Sequence, residues 1–355
     1  MIFPVWRQPS LSRLLIFTVI AWGGFGGRPA ATQDERAVET SENALHTARS
    51  TSAARPAIFD PLVFEAQIVA AYERVQGASV GIRVEGRSGS GVVVSGDGLV
   101  LSAGHVIGSP GLTAKVILPD GRELEATTLG VNQRRDSGML RIRDATGLAF
   151  AAVCTTGEVG QGDWCLAVGH PGGYQAGRPP VPRIGRILDA SRPVDGSARF
   201  IHSDCPLIGG DSGGGLFDLE GRLIGIHSRI ESDVTSNYHV PITVYLRHWG
   251  RLLSGEEWTR GDARLGLFGV SDDKLGARIR DVFPGRPATA AGLRADDIIT
   301  QLDGERVRGA EDLRMMLGEY RPGDEIELVV RRGEEIVAVR VTLAGPQRVG
   351  SRGQP

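Results

Sequence analysis

The sequence predicts a mainly β protein, with two consecutive antiparallel β units followed by a small α+β module. Three observations lead there. Short aliphatic and β-branched runs with a period of two recur between glycine-rich turns: Val80 to Val84, Gly91 to Ser95, Leu99 to Ser102, Lys115 to Leu118 and Met139 to Ile142. Glycine occupies 50 of 355 positions and aromatic residues only 6%, a balance that favours many tight turns between short strands. The pattern pauses near Gly147 and resumes from Cys154 to Ile242, which divides the strands into two units of similar length. Such spacing fits an antiparallel barrel or a sandwich.

In chain order, Arg7 and Arg13 precede the apolar run Leu14 to Trp22, which is short of a full membrane span, and Ala30-Ala31 offers small residues for cleavage. Residues 1–31 therefore read as an export signal, or as an N-terminal anchor if uncleaved. Residues 32–57 carry almost no large apolar side chain and are expected to form a disordered tether. Asp60 as N-cap and Pro61 in the first turn then open a helix to Val75, with Leu62, Ala66, Val69 and Tyr72 on one face. After the two β units, residues 250–261 read as a connection. The module beyond it mixes strands (Ala277 to Ile279, Glu325 to Val330, Ile336 to Val341) with a helical stretch from Ala310 to Gly318, and a Gly, Pro, Arg and Gln tail follows Gly345.

The formal net charge is −2 with both signs dispersed, so there is no basic stripe for nucleic acid and no acidic tail. No metal-ligand spacing is present, and no cofactor is expected. The three cysteines leave two readings open: a bridge between Cys154 and Cys165 with Cys205 unpaired, or three small buried apolar side chains.

The chemistry concentrates in Gly209-Gly210-Asp211-Ser212-Gly213-Gly214-Gly215. Glycines on both sides hold a serine at a tight turn with nothing bulky beside its hydroxyl, and let the N–H groups of Gly210 and Ser212, with Asp211 as a further donor, converge where an oxyanion would develop. A plain glycine linker is the alternative, but the run is framed by the strand-like stretches Arg199 to His202 and Leu216 to Leu219. A serine nucleophile needs a base, and the base needs a carboxylate to orient it. His105 follows an apolar strand within Ser102-Ala103-Gly104-His105-Val106, and Asp136 stands at the mouth of the strand Ser137 to Ile142. Asp120 and Asp144 lie in plainer contexts.

The order His105, Asp136, Ser212 resembles that of chymotrypsin-like proteases. The stretches Gly89 to Ser102, Asp136 to Ile142, Ile201 to Gly214, Gly221 to Ile226 and Val240-Pro241-Ile242 resemble the HtrA/Deg family of exported serine proteases. Arg264-Leu265-Gly266-Leu267 and Gly285 to Ile299 resemble a PDZ domain, with Ala295 where that family usually has glycine. The family commonly has Asn before the nucleophile, where this chain has Asp211. The resemblance implies a chymotrypsin-like double antiparallel β-barrel over 58–249, a linker over 250–261, a PDZ domain over 262–345 and a tail over 346–355. It implies a periplasmic or secreted endopeptidase of protein quality control that acts on unfolded proteins. His105, Asp136 and Ser212 would be its triad, and Leu207, Ile208 and the strand Ile226-His227-Ser228 would line a pocket for small aliphatic residues. It also implies that the loop Arg264 to Leu267 captures C-terminal peptides, and that Phe59 and Phe64 support a homotrimer. A peptide-binding chaperone with vestigial catalysis is the competing reading. A digestive trypsin-like enzyme fits less well, since several disulfides are lacking.

Overall fold

The computed structural model describes residues 60–155, 159–194, 198–230, 236–259 and 261–346. The expected export signal, the tether, Phe59 and the tail beyond 346 lie outside the described residues. Helix α1 (Pro61–Val75) starts as expected: one carboxylate oxygen of Asp60 accepts the N–H groups of Leu62 at 2.9 Å and Val63 at 3.4 Å. Its inward stripe differs from the expected one. Leu62 and Val69 stand in solvent, while Ala71 and Val75 are buried with Ile68 and Tyr72 against the core, and the ring of Phe64 lies 4.6 Å from that of Trp164. The series 64, 68, 71, 75 is equally helical in spacing, and it is the one turned onto the core.

The first β unit comprises β1 (Ser79–Val84), β2 (Arg87–Val93), β3 (Leu99–Ala103), the one-turn helix α2 (Gly104–Ile107), β4 (Thr113–Ile117), β5 (Glu123–Asn132) and β6 (Ser137–Ile142). Neighbours run β5-β4-β1-β2-β3-β6, and β6 pairs back onto β5 to close a barrel. The second unit closes likewise in the order β10-β11-β12-β9-β8-β7, from β7 (Trp164–Gly169), β8 (Val181–Val194), β9 (Ala198–Ser203), β10 (Gly215–Phe217), β11 (Leu223–Ile230) and β12 (Asn237–Pro241). Of the two architectures left open, the barrel is the one adopted, and closure leaves no unpaired strand edge. Strand β5 was not among the expected runs because Glu123, Glu125 and the threonines Thr127 and Thr128 interrupt its apolar residues.

Helices α3 (Ile242–Arg247) and α4 (Trp249–Leu253) follow. Next, β13 (Glu257–Trp258) pairs in parallel with Val131 and Asn132 of β5, so the expected connection carries regular structure of its own. The C-terminal module has its own core around Ile279, Ile299, Leu302, Leu313 and Leu328. It is built from β14 (Leu267–Asp273), β15 (Gly276–Val282), α5 (Pro287–Ala290), β16 (Ile298–Leu302), β17 (Glu305–Arg306), α6 (Ala310–Leu317), β18 (Glu325–Arg332) and β19 (Glu335–Thr342), with sheet order β14-β15-β16-β18-β19 and β17 beside β16.

Buried ion pairs join this module to the barrels. Arg135 Nη1 donates to Glu319 Oε1 at 2.7 Å with both side chains almost fully buried, Arg199 pairs with Asp312, and Arg247 with Glu305 at 3.1 Å. Burial alone would raise the Glu319 carboxyl, but Arg135, His248 and Arg247 outweigh it and hold the group down to about 2. Ion pairs this dry persist only where the partners compensate desolvation through close geometry.

None of the three cysteines forms a disulfide. All three are buried, and the neighbour of Cys165 is Cys205, whose sulfur lies 3.5 Å away, rather than Cys154. The bridge reading for Cys154 and Cys165 is thereby replaced by that of small apolar side chains. No helix of the described residues is long and apolar enough to cross a membrane.

Candidate active site

His105 sits in α2, immediately after β3. The small residues before it matter sterically: a Cβ on Gly104 would stand 3.3 Å from the Cα and a carboxylate oxygen of Asp136, so glycine lets the aspartate close on the ring. Asp136 comes from the turn between β5 and β6, where Asn132 Oδ1 accepts the N–H groups of Arg134 and Arg135, each at 3.1 Å. The turn leaves Asp136 at φ 53°, a left-handed conformation that Asp tolerates better than most residues.

The Asp136 carboxylate is the hub. It accepts the His105 backbone N–H at 2.8 Å and the Ser228 hydroxyl at 2.5 Å, and both of its oxygens lie 3.0 Å from His105 Nδ1. In a neutral ring this places the proton on Nδ1 and leaves Nε2 as an acceptor. The hydrogen bond to Asp136 raises the His105 pKa above its ordinary value of 6.5, against the opposing effect of burial. The histidine side chain is half exposed, while that of Asp136 is only 11% exposed.

The serine turn is anchored at several points. Gly172 N–H donates to the Gly209 carbonyl at 2.6 Å, Ser90 Oγ–H to the Gly210 carbonyl at 2.8 Å, and Ser90 N–H to the Ser212 carbonyl at 2.8 Å. Gly210 has φ 94°, and a Cβ there would stand 2.2 Å from the Gly173 nitrogen. Gly213 has φ 86° and lies against Ser102 and Ala103, the residues that lead into His105. The turn thus brings Ser212, half-buried, beside the segment that carries His105, and no hydrogen bond joins its hydroxyl to the ring. With the carbonyls of residues 209, 210 and 212 all engaged, the N–H groups of Gly210 and Ser212 have no hydrogen-bond partner among the described residues. The N–H of Asp211, expected as a further donor, instead bonds the Ile208 carbonyl at 3.1 Å.

Among the residues expected to line a pocket, Leu207 is buried and Ile208 is 50% exposed. His227 is fully buried, with Nδ1 2.8 Å from His239 Nδ1, and His239 Nε2 lies 2.7 Å from Ser203 Oγ. Burial keeps both rings neutral, pushing His239 down to about 3. Ser228 reaches Asp136, a contact that sequence reasoning missed. Its only sequence signal is a small polar residue following the apolar stretch Leu223 to Ile226.

In the C-terminal module, the loop Arg264 to Leu267 borders a groove of about 820 Å³ between α6 and β14, lined also by Val270, Phe283, Leu313 and Leu317. Ala288 N–H bonds the Leu265 carbonyl at 2.8 Å and Phe283 N–H the Gly266 carbonyl at 2.9 Å, while the N–H groups of Leu265 and Gly266 have no partner among the described residues. Gly266 (φ 79°) is required, since a Cβ would stand 2.3 Å from that of Arg286. Among the described residues no group of His, Cys, Asp or Glu is arranged to hold a metal ion.

Residues 89–226 match the trypsin-like peptidase domain, and residues 263–343 the PDZ domain. A probable periplasmic serine endoprotease described as DegP-like, from Halomonas elongata, is 31% identical over 269 residues, covering 72% of this chain and 56% of that protein. The periplasmic pH-dependent serine endoprotease DegQ of Escherichia coli is 30% identical over 271 residues, covering 72% of this chain and 59% of that protein. The chain thus spans a little over half the length of these curated relatives. Among solved structures, an HtrA-type protease AlgW with a tripeptide aligns with TM-score 0.55 at 25% identity, over 80% of this chain and 99% of that one. The serine endoprotease from Yersinia pestis aligns with TM-score 0.52 at 26% identity, over 79% and 98%. With its two closed barrels, its His105–Asp136 pair and its C-terminal PDZ module, the chain belongs to the HtrA family of serine proteases.

Proposed function

We propose that the chain is a periplasmic serine endopeptidase that hydrolyses unfolded proteins, with a PDZ groove that binds their C-terminal peptides. Ser212 attacks the peptide carbonyl while His105 Nε2 takes its proton and later donates it to the leaving amine. Asp136 remains ionised, fixes the tautomer of His105 and stabilises the imidazolium. The free N–H groups of Gly210 and Ser212 receive the oxyanion, each such donor being worth roughly 10²–10³ in rate. The observation that carries this reading is the Asp136 carboxylate, held at once by the His105 N–H, His105 Nδ1 and the Ser228 hydroxyl beside a serine turn with two unspent donors. Leu207 and the exposed Ile208 border the pocket for the residue before the scissile bond, which favours small aliphatic side chains there.

The PDZ groove takes the last residues of an apolar peptide as an added strand, with the N–H groups of Leu265 and Gly266 on its carboxylate and Arg264 and Leu267 flanking them. The exposed Leu62 (75%), Val63 (54%) and Val69 (49%) on α1, together with Phe64, supply apolar area for a homotrimer. Periplasmic placement follows the relatives' descriptions and the apolar run Leu14 to Trp22. The test is labelling by a fluorophosphonate probe beside hydrolysis of an unfolded protein. Both are expected in the natural chain, and Ser212→Ala should abolish the labelling and lower turnover by about 10⁶. A Ser212→Ala variant that still cleaves overturns the assignment, and an unlabelled, inactive natural chain favours the peptide-binding chaperone.

A further inference from the structure

The residue before the serine is Asp211, an acid where the family commonly has a neutral amide. Its side chain is 0% exposed. Its own polar groups tie the serine turn together: Oδ2 accepts the Ile208 N–H at 3.0 Å, its N–H donates to the Ile208 carbonyl at 3.1 Å, and its carbonyl accepts the Gly214 N–H at 2.8 Å. A Cβ on Gly169, at the end of β7, would stand 2.7 Å from Oδ1, so a glycine makes room for the carboxylate. Oδ1 itself has no hydrogen-bond partner among the described residues.

An ionised carboxylate this dry is untenable without a compensating charge. That charge comes from Arg183 of β8, whose Nη1 lies 3.1 Å from Oδ2 with the side chain 17% exposed. Burial holds the Asp211 carboxyl above its ordinary value, opposed in part by the Ile208 N–H, by Arg183 and, at longer range, by Arg178. The Arg178 guanidinium is itself committed to the Pro171 and Gly173 carbonyls, which leaves Arg183 as the direct partner.

We infer that Arg183 is a positioning residue for the oxyanion site: by neutralising Asp211 inside the barrel it holds the turn 208–214 in the form that leaves the Gly210 and Ser212 N–H groups free. The inference rests on the proposed role of Ser212. Without Arg183, the buried carboxylate either draws in water or leaves its place. Because its backbone and side chain fasten Ile208 and Gly214, either change moves the two donors. Since those donors act mainly on the transition state, the loss falls on kcat and not on KM.

The experiment is a double-mutant cycle on the full chain, reading kcat, KM and fluorophosphonate labelling. Arg183→Met should lower kcat about 10²-fold with KM little changed, the scale of losing one oxyanion donor, and Arg183→Lys should recover part of it. In an Asp211→Asn background no carboxylate needs neutralising, so adding Arg183→Met should change kcat less than about threefold, a coupling that a purely packing role of Arg183 does not produce. If Arg183→Met fails to fold, the comparison of Asp211→Asn with the double variant still decides. A loss of the same size in both backgrounds, or no loss from Arg183→Met in the natural chain, overturns the inference while the proteolytic reading stands. A natural chain that neither cleaves nor labels overturns both.

Discussion

Replacing Ser228 by Ala isolates the carboxylate hub. The hydroxyl lies 2.5 Å from Asp136 Oδ2 and is nearly buried, so the variant removes one charge-assisted hydrogen bond while the two from His105 remain. Such a bond contributes about 1.5–3 kcal/mol. Relieved of it, the carboxylate becomes a stronger acceptor for the His105 Nδ1 proton. If about half of a roughly 2 kcal/mol bond passes to the ring, the imidazolium gains about 1 kcal/mol, an upward shift of roughly 0.7 pH unit. His105 already stands above 6.5, and in the proposed mechanism only its neutral form accepts the Ser212 proton. Activity is therefore present above the histidine pKa and lost as pH falls through it. In Ser228→Ala the loss should set in at higher pH, with a plateau about tenfold lower because Asp136 is less firmly held. The assay is kcat/KM for a chromogenic peptide against pH in both proteins. An acid limb that stays in place or moves downward refutes the reasoning, because it would mean that Ser228 does not act on His105 through Asp136.

Other perturbations follow from the same geometry. Gly210→Ala places a Cβ 2.2 Å from the Gly173 nitrogen at φ 94°, and should lower kcat about 10²–10³-fold by displacing one oxyanion donor, measured on the same peptide. Glu319→Gln leaves Arg135 buried without its partner and should destabilise the full chain by about 3–5 kcal/mol in urea unfolding. The natural pair should survive mild acid. The Glu319 pKa is depressed from 4.5 to about 2, so its contribution is complete above the unfolded value and disappears only as pH falls towards the folded one, which acid titration of unfolding checks. Amidating the C-terminus of an apolar peptide should weaken its binding to the PDZ groove at least tenfold by calorimetry, the loss of about 1.4 kcal/mol or more of charge-assisted bonding.

Much of the site was legible because its parts are local. The glycines around Ser212, the small residues before His105 and the strand-mouth position of Asp136 are neighbours in sequence of what they serve. The strand period likewise announced two β units, though not that each would close into a barrel rather than a sandwich. What escaped depends on pairing between distant strands. Ser228 meets Asp136 only because β11 of the second barrel packs against β3 of the first, 92 residues along the chain from Asp136, and Arg183 of β8 meets Asp211 on the turn before β10. The spent N–H of Asp211 is invisible in composition, since glycine-rich turns of one sequence can direct their amides in several ways. Cys165 meeting Cys205 rather than Cys154 has the same origin, because sequence proximity says little about which interior side chains a closed barrel faces together. The misjudged stripe of α1 was a choice between two equally periodic faces, settled by what lay beneath it.

The short strand β13 gives the approach to the PDZ domain no slack. Val131 N–H bonds the Glu256 carbonyl at 2.8 Å, Gln133 N–H bonds that of Trp258 at 2.9 Å, and Gly261 N–H is already bonded to Gly318 at 2.6 Å. A swivel of the domain has almost no free chain to turn on, so separation requires peeling these backbone bonds from β5 and exposing the nearly buried Trp258 indole. Departure of the PDZ domain is then a discrete unzipping with its own barrier, and the indole, quenched or released by water, reports optically when it happens.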